Sequence, residues 1–172
     1  MRESRLLQYI YEHATRGTTV DIPPGDDMGA VHVGGQTVLV TVDQLIDGIH
    51  GRVETAGLGA FARKAMTRNL SDVAAMAARP VGAVVAVCLP RTWREAQATE
   101  LFDAMRATGE RYACPLFGGD ISIGDSPLAI TVTADSLTKV YGNADPDLTY
   151  GSDISLVTGD DFTGTLSRVS GE

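Results

Sequence analysis

The run from Leu58 to Ala78 limits what this chain can fold into more sharply than any other stretch. At about 100° per residue, Leu58, Phe61, Ala62, Ala65, Val73 and Met76 fall on one side, as in a helix with one buried face. "VGAVVAVCLP" comes almost at once after it. Its nearly continuous apolar character predicts a strand covered on both faces. A one-sided helix beside so apolar a strand points to helices packed on a sheet.

The remaining segments extend that pattern. Leu6, Leu7, Ile10, Tyr11 and Ala14 keep helical spacing, which predicts a short helix over 4–16 closed by Gly17. "DIPPGDDMGA" reads as a loop, because two prolines and a glycine interrupt any regular element. "AVHV" and "TVLVTVD" flank "GGQ" and read as a β-hairpin, and "QLIDGIHGRVETAG" reads as a turn-rich connection. Thr92 and Glu95 form a T-x-x-E capping box ahead of a second helix lined by Ala98, Leu101, Phe102, Met105 and Tyr112. "LFGGD" predicts a short strand running into a glycine turn. "PLAITVTADSL" alternates as a strand, and "DISLVTG" is a candidate last strand. The expected fold is α+β, a mixed β-sheet with helices packed on one face, spanning residues 1–138. The polar, turn-forming stretch 139–153 opens a second segment, 139–172, read as a linker and the start or remnant of another domain.

Charge narrows the function. The chain carries 22 acids against 14 bases, a net −8, which argues against a nucleic-acid binder with its basic footprint. Phosphates are still within reach if bound cations reverse the local field. No run approaches the roughly 20 apolar residues of a membrane span, and the charged, amphipathic start does not read as a signal peptide. Cys88 and Cys114 lie far apart without CxxC spacing, as free thiols of a reducing cytoplasm do. The expected location is cytoplasmic.

Acids then appear where apolar residues are due. Asn69 and Asp72 fall on the apolar side of the Leu58–Ala78 helix, while Ser71 falls opposite. A buried carboxylate must be paired, protonated or bound to a cation. The helix alone leaves open a salt bridge to Arg68 or Arg79, a frayed end, or a cation. Asp43 ends "TVLVTVD", Asp120 ends "LFGGD", and Asp26 and Asp27 sit in "PPGDDMG". Acids at strand ends beside flexible loops form a plausible Mg²⁺ constellation, since magnesium takes hard oxygen ligands and leaves positions for phosphate and water. Neither GxxxxGK[ST] nor a GxGxxG opening a helix is present. A nucleotide would therefore rest on metal-bridged phosphates and glycine backbone.

"PGDDMGAV", "VTVDQLIDGIHG", "KAMTRNLSDVAAMAARP" and "LFGGDISIG", in this order and spacing, resemble the N-terminal half of thiamine-monophosphate kinase. That family belongs to the aminoimidazole ribonucleotide synthetase-like superfamily. The resemblance covers roughly residues 20–137. It implies an ATP-binding domain that dimerises through its sheet and uses Mg²⁺ to bridge aspartates and ATP phosphates. It assigns Asp27, Asp43, Asp72 and Asp120, with Thr41, to metal. Gly119, Asp120 and Asn69 go to the nucleotide site, and His50 to the substrate side. The implied reaction converts ATP and thiamine phosphate to thiamine diphosphate and ADP. The implied partners are a second copy of the chain and, for the missing acceptor half, a separate C-terminal-domain chain. The sequence departs from the family pattern where a phosphate-contacting arginine is expected, near Pro146 and Asp147. "GIHG" lacks the aromatic that comes after the histidine, "AAMAA" has alanine in place of glycine, and Val42 stands where a hydroxyl residue is usual. Those departures keep two alternatives in view: a related ATP-dependent enzyme acting on another small acceptor, and a non-catalytic nucleotide-binding or dimerisation module.

Overall fold

The computed structural model describes residues 3–14 and 17–137. Helix α1 spans Glu3–His13 and leaves all its residues exposed. Strand β1 (Val20–Ile22) is followed by β2 (Gly29–Val33) and the long β3 (Gln36–Ile46). A one-turn helix, α2 (Val53–Ala56), precedes α3 (Leu58–Ala75). Strand β4 (Arg79–Pro90), helix α4 (Glu95–Arg111), β5 (Leu116–Gly124) and β6 (Ala129–Leu137) complete the order. The strands form one mixed sheet in the order β1-β2-β3-β6-β4-β5, antiparallel except for the β4–β5 pair. The expected α+β class and mixed sheet are what the chain adopts. No described helix is long and apolar enough to cross a membrane.

One face of the sheet holds the core. Leu39, Leu45, Ile130, Val132, Ala134, Ala83, Val85 and Leu89 project from it and are buried with Leu58, Phe61, Ala62, Ala65, Met66 and Val73 of α3. Leu101 and Met105 of α4 close that layer. The other face is open. Cross-strand partners share a face, so the pairings of Val42 with Thr133 and of Val84 with Thr133 put these residues on the side away from the core. Val42 is 62% exposed, and Phe117, whose ring lies against Gly82, is 63% exposed. The apolar run of β4 is thus covered on one side within the chain. Ala83, Val85 and Leu89 are buried, but Ala86 is exposed, and its apolar residues on the second side face outward.

Five local expectations change. Asp21 and Ile22 of the expected loop pair with β2 as part of β1, and residues 53–56 of the turn-rich connection form α2. The N-cap of α4 is Arg94, whose backbone N–H donates to Gln97 Oε1 at 3.0 Å, so the Thr92–Glu95 box does not form. Phe102, expected to line that helix's buried face, is 51% exposed. "LFGGD" makes no turn, because Gly118 and Gly119 lie inside the continuous strand β5, paired with Val84 and Val85. The candidate strand "DISLVTG" lies outside the described residues.

Helix α3 closes with a defined cap. Ala78 N–H donates to the Val73 carbonyl and Ala77 N–H to that of Ala74, both at 3.0 Å. This is the double bond of a Schellman cap. The cap needs a left-handed residue, and Ala77 supplies it at φ 51°, at a steric cost of about 1 kcal/mol that glycine avoids. Asp72 therefore sits in the last turn of α3, at the end where backbone carbonyls accumulate negative charge.

Candidate functional site

Helix α3 and strand β3 bring the acids together. Thr41 is nearly buried, and its hydroxyl donates to Asp72 Oδ2 at 2.6 Å. Arg68, one turn before Asp72, forks onto Asp43, with Nε to Oδ2 and Nη2 to Oδ1 both at 3.0 Å. Arg68 thus meets Asp43 rather than Asp72, and the partner of Asp72 is a hydroxyl. Asp27 stands in the loop before β2, exposed beside buried Met28. The Asp27 backbone N–H donates to Asp26 Oδ1 at 2.8 Å.

Asp72 is electrostatically uncomfortable. Desolvation raises its pKa above the ordinary carboxylate value; the Thr41 hydrogen bond opposes this, Asp43 and Asp27 raise it further, and Arg68 lowers it. The negative end of α3 adds to the same disfavour. Behind it Asn69 is fully buried, with Nδ2 donating weakly to the Ala65 carbonyl at 3.4 Å and Oδ1 left without a partner. The Thr41 hydroxyl and the Asp72 carboxylate, meeting under excess negative charge, have the donor chemistry that suits a hard divalent cation. Among the described residues, no group of three or more acidic, histidine or cysteine side chains is already spaced to hold a metal.

Asp120 lies elsewhere. Asp43, Val132, Val85 and Gly119 form one row across β3, β6, β4 and β5. Asp43 and Gly119 are then about 14 Å apart, at roughly 4.8 Å per strand. Asp120 pairs with Ala86, and Ala86 with Thr131. Thr131 accepts from Gln44 Nε2 at 3.3 Å on the open face, opposite Thr41 and Asp43. Within one chain, the expected four-aspartate cluster is therefore a group of Thr41, Asp43 and Asp72, with Asp27 near enough to act on Asp72, and Asp120 apart from it. Gly119 is pressed against β4, where a Cβ would lie 2.0 Å from the Val85 carbonyl oxygen.

His50 belongs to the turn after β3. Its Nδ1 accepts from the Ile46 N–H at 3.0 Å, which in the neutral ring leaves the proton on Nε2. Lys64 Nζ donates to the His50 carbonyl at 2.6 Å. Neither the Lys64–His50 contact nor the Arg68–Asp43 fork leaves a trace in local periodicity.

Comparison with known proteins places this arrangement. The model for "AIR synthase related protein, N-terminal domain" matches residues 25–137. A second model, "MBG domain (YGX type)", matches residues 130–172, mostly beyond the described part. Thiamine-monophosphate kinase of Rhodopirellula baltica is 31% identical over 76% of this chain and 44% of its own length. That of Corynebacterium glutamicum is 35% identical over 87% of this chain and 43% of its own length. AaThiL complexed with AMPPCP and TMP superposes with TM-score 0.69 at 26% identity, covering 80% of this chain and 44% of that one. The structure of tt0281 from Thermus thermophilus gives TM-score 0.71 at 26% identity, with the same coverage. The chain thus spans less than half of the length of each of these relatives. On the match across two-thirds of its residues and the sheet-and-helix arrangement that carries it, the chain belongs to the AIR synthase related family, through that family's N-terminal domain.

Proposed function

We propose that this chain supplies the Mg²⁺–ATP-binding part of a thiamine-monophosphate kinase-like phosphotransferase. The observation that carries this reading is Asp72: a partly desolvated carboxylate at the negative end of a helix, beside two other acids and held by one hydroxyl. Such an arrangement gains most from a cation. Asp72, Asp43 and Asp27 would hold Mg²⁺, with Thr41 as a further oxygen ligand and Asn69 orienting the site. Bound there, the ion would neutralise phosphate charge during in-line transfer. We assign Gly119 and Asp120, on β5, to the nucleotide at a contact separate from the Asp43–Asp72 group. His50 would face the acceptor, its ring fixed by the Ile46 amide so that Nε2 presents the proton.

The similarity to AaThiL complexed with AMPPCP and TMP supports ATP as donor and thiamine phosphate as acceptor. Because the matched kinases are about twice as long, phosphoryl transfer is proposed for the whole enzyme, and the metal–nucleotide half of the task for these residues. Calorimetric titration with ATP should give saturable binding in Mg²⁺ and little in EDTA. Equal binding in both would overturn the reading. We further propose that the open apolar face around Val42 and Phe117 packs on a second copy, since a patch of this kind marks an interaction surface. Light scattering should then give twice the mass of one chain, and a monomer at micromolar concentration would exclude this.

A further inference from the structure

Asp43 has both carboxylate oxygens engaged by the Arg68 fork. The pair is only part exposed, with 36% of the Arg68 side chain and 26% of Asp43 open to solvent. A planar guanidinium facing a carboxylate in this bidentate manner occupies the in-plane lone pairs a metal would use. It also sets a positive charge where a second cation would arrive. Arg68 and Asp72 are four residues apart on α3 and so lie on neighbouring turns of the same helix face. The guanidinium bonds Asp43 alone, yet its charge also acts on Asp72, whose pKa it lowers.

We propose that Arg68 is a resident counter-ion: it neutralises the acid group when no metal is bound and competes with a divalent cation for Asp43. On this inference, which rests on the metal-site reading above, metal entry requires the guanidinium to swing off Asp43, and the fork sets how tightly the ion is held. Two consequences distinguish this from an arginine that assists metal and phosphate. Removing the guanidinium strengthens binding of the bare ion. It also weakens the metal-free protein, because the acid group loses the cation that offsets its charge.

The test titrates Mg²⁺ alone, without nucleotide, into the wild-type chain, Arg68→Met and Arg68→Lys by calorimetry, and tracks urea unfolding of each in EDTA and in Mg²⁺. Arg68→Met should bind Mg²⁺ about two- to fivefold more tightly, the scale expected for releasing a part-exposed ion pair. Its unfolding midpoint should fall in EDTA and recover more on adding Mg²⁺ than the wild type's, because a ligand of the folded state stabilises by an amount that grows with the logarithm of its affinity. Arg68→Lys keeps the charge but not the fork and should fall between the two; it carries the test alone if Arg68→Met does not fold. Equal or weaker Mg²⁺ binding by the variants overturns the inference while leaving the metal site standing. Absence of Mg²⁺ binding in the wild type and both variants overturns the site reading, and the competition with it.

Discussion

Replacing Gly119 by alanine should cost on the order of 3–5 kcal/mol of stability, a loss reserved for severe steric conflict. The added Cβ would lie 2.0 Å from the Val85 carbonyl oxygen and 2.9 Å from its carbonyl carbon. Both are backbone atoms of a central strand and cannot rotate aside. The clash can be relieved only by parting β4 from β5, which breaks the parallel ladder. Gly118 is the internal control. Its Cβ would meet only Val84 Cγ1, at 3.4 Å, so Gly118→Ala should unfold near the wild-type urea midpoint. If Gly119→Ala matched it, the close strand approach would be wrong. Glycine inside a strand often marks such an approach.

Asp72→Asn should lower Mg²⁺-dependent ATP affinity at least about 100-fold, or ~2.7 kcal/mol, while the fold persists. Asparagine keeps the size of the side chain and an oxygen that can accept from Thr41, but it removes the charge that a cation would neutralise. The pH dependence has a definite sign. The pKa of Asp72 is raised on folding, chiefly by desolvation, so the folded chain holds this proton more readily than the unfolded chain. Its contribution to metal-free stability is most favourable below the unfolded value. It declines as pH rises toward the folded value and stays reduced at neutral pH. Asp72→Asn should therefore keep or slightly raise the neutral-pH unfolding midpoint in EDTA and flatten that acid-side slope. Unchanged ATP affinity in Mg²⁺ would remove Asp72 from the site.

Much of the frame was legible in local pattern. The 3.6-residue period placed the buried face of α3, including Asn69; β-rich runs flanking "GGQ" found β2 and β3, and the period of two found β6. The family likeness rests on short strings such as "NLSDVAAM" and "GGD", which can be read without any knowledge of the fold. Other features were hidden for physical reasons. β1 is three residues long and owes its existence to β2. The glycines of β5 carry a turn-like composition that the β4 ladder overrides. Phe102 fits the helical stripe of α4, but the buried face of that helix is Leu101, Met105, Thr108 and Gly109, and Phe102 stays half exposed.

Sequence alone determined the class of element at most positions and which acid interrupts an apolar face, because both arise from side-chain polarity at fixed helical or strand spacing. The tertiary structure decided the partners: Thr41 for Asp72, Arg68 for Asp43, Lys64 for the carbonyl of His50, and β5 three strands away from β3. Those pairings join residues 31, 25 and 14 positions apart. They depend on strand order and register, which are settled by how the whole apolar face is buried and not by any one segment.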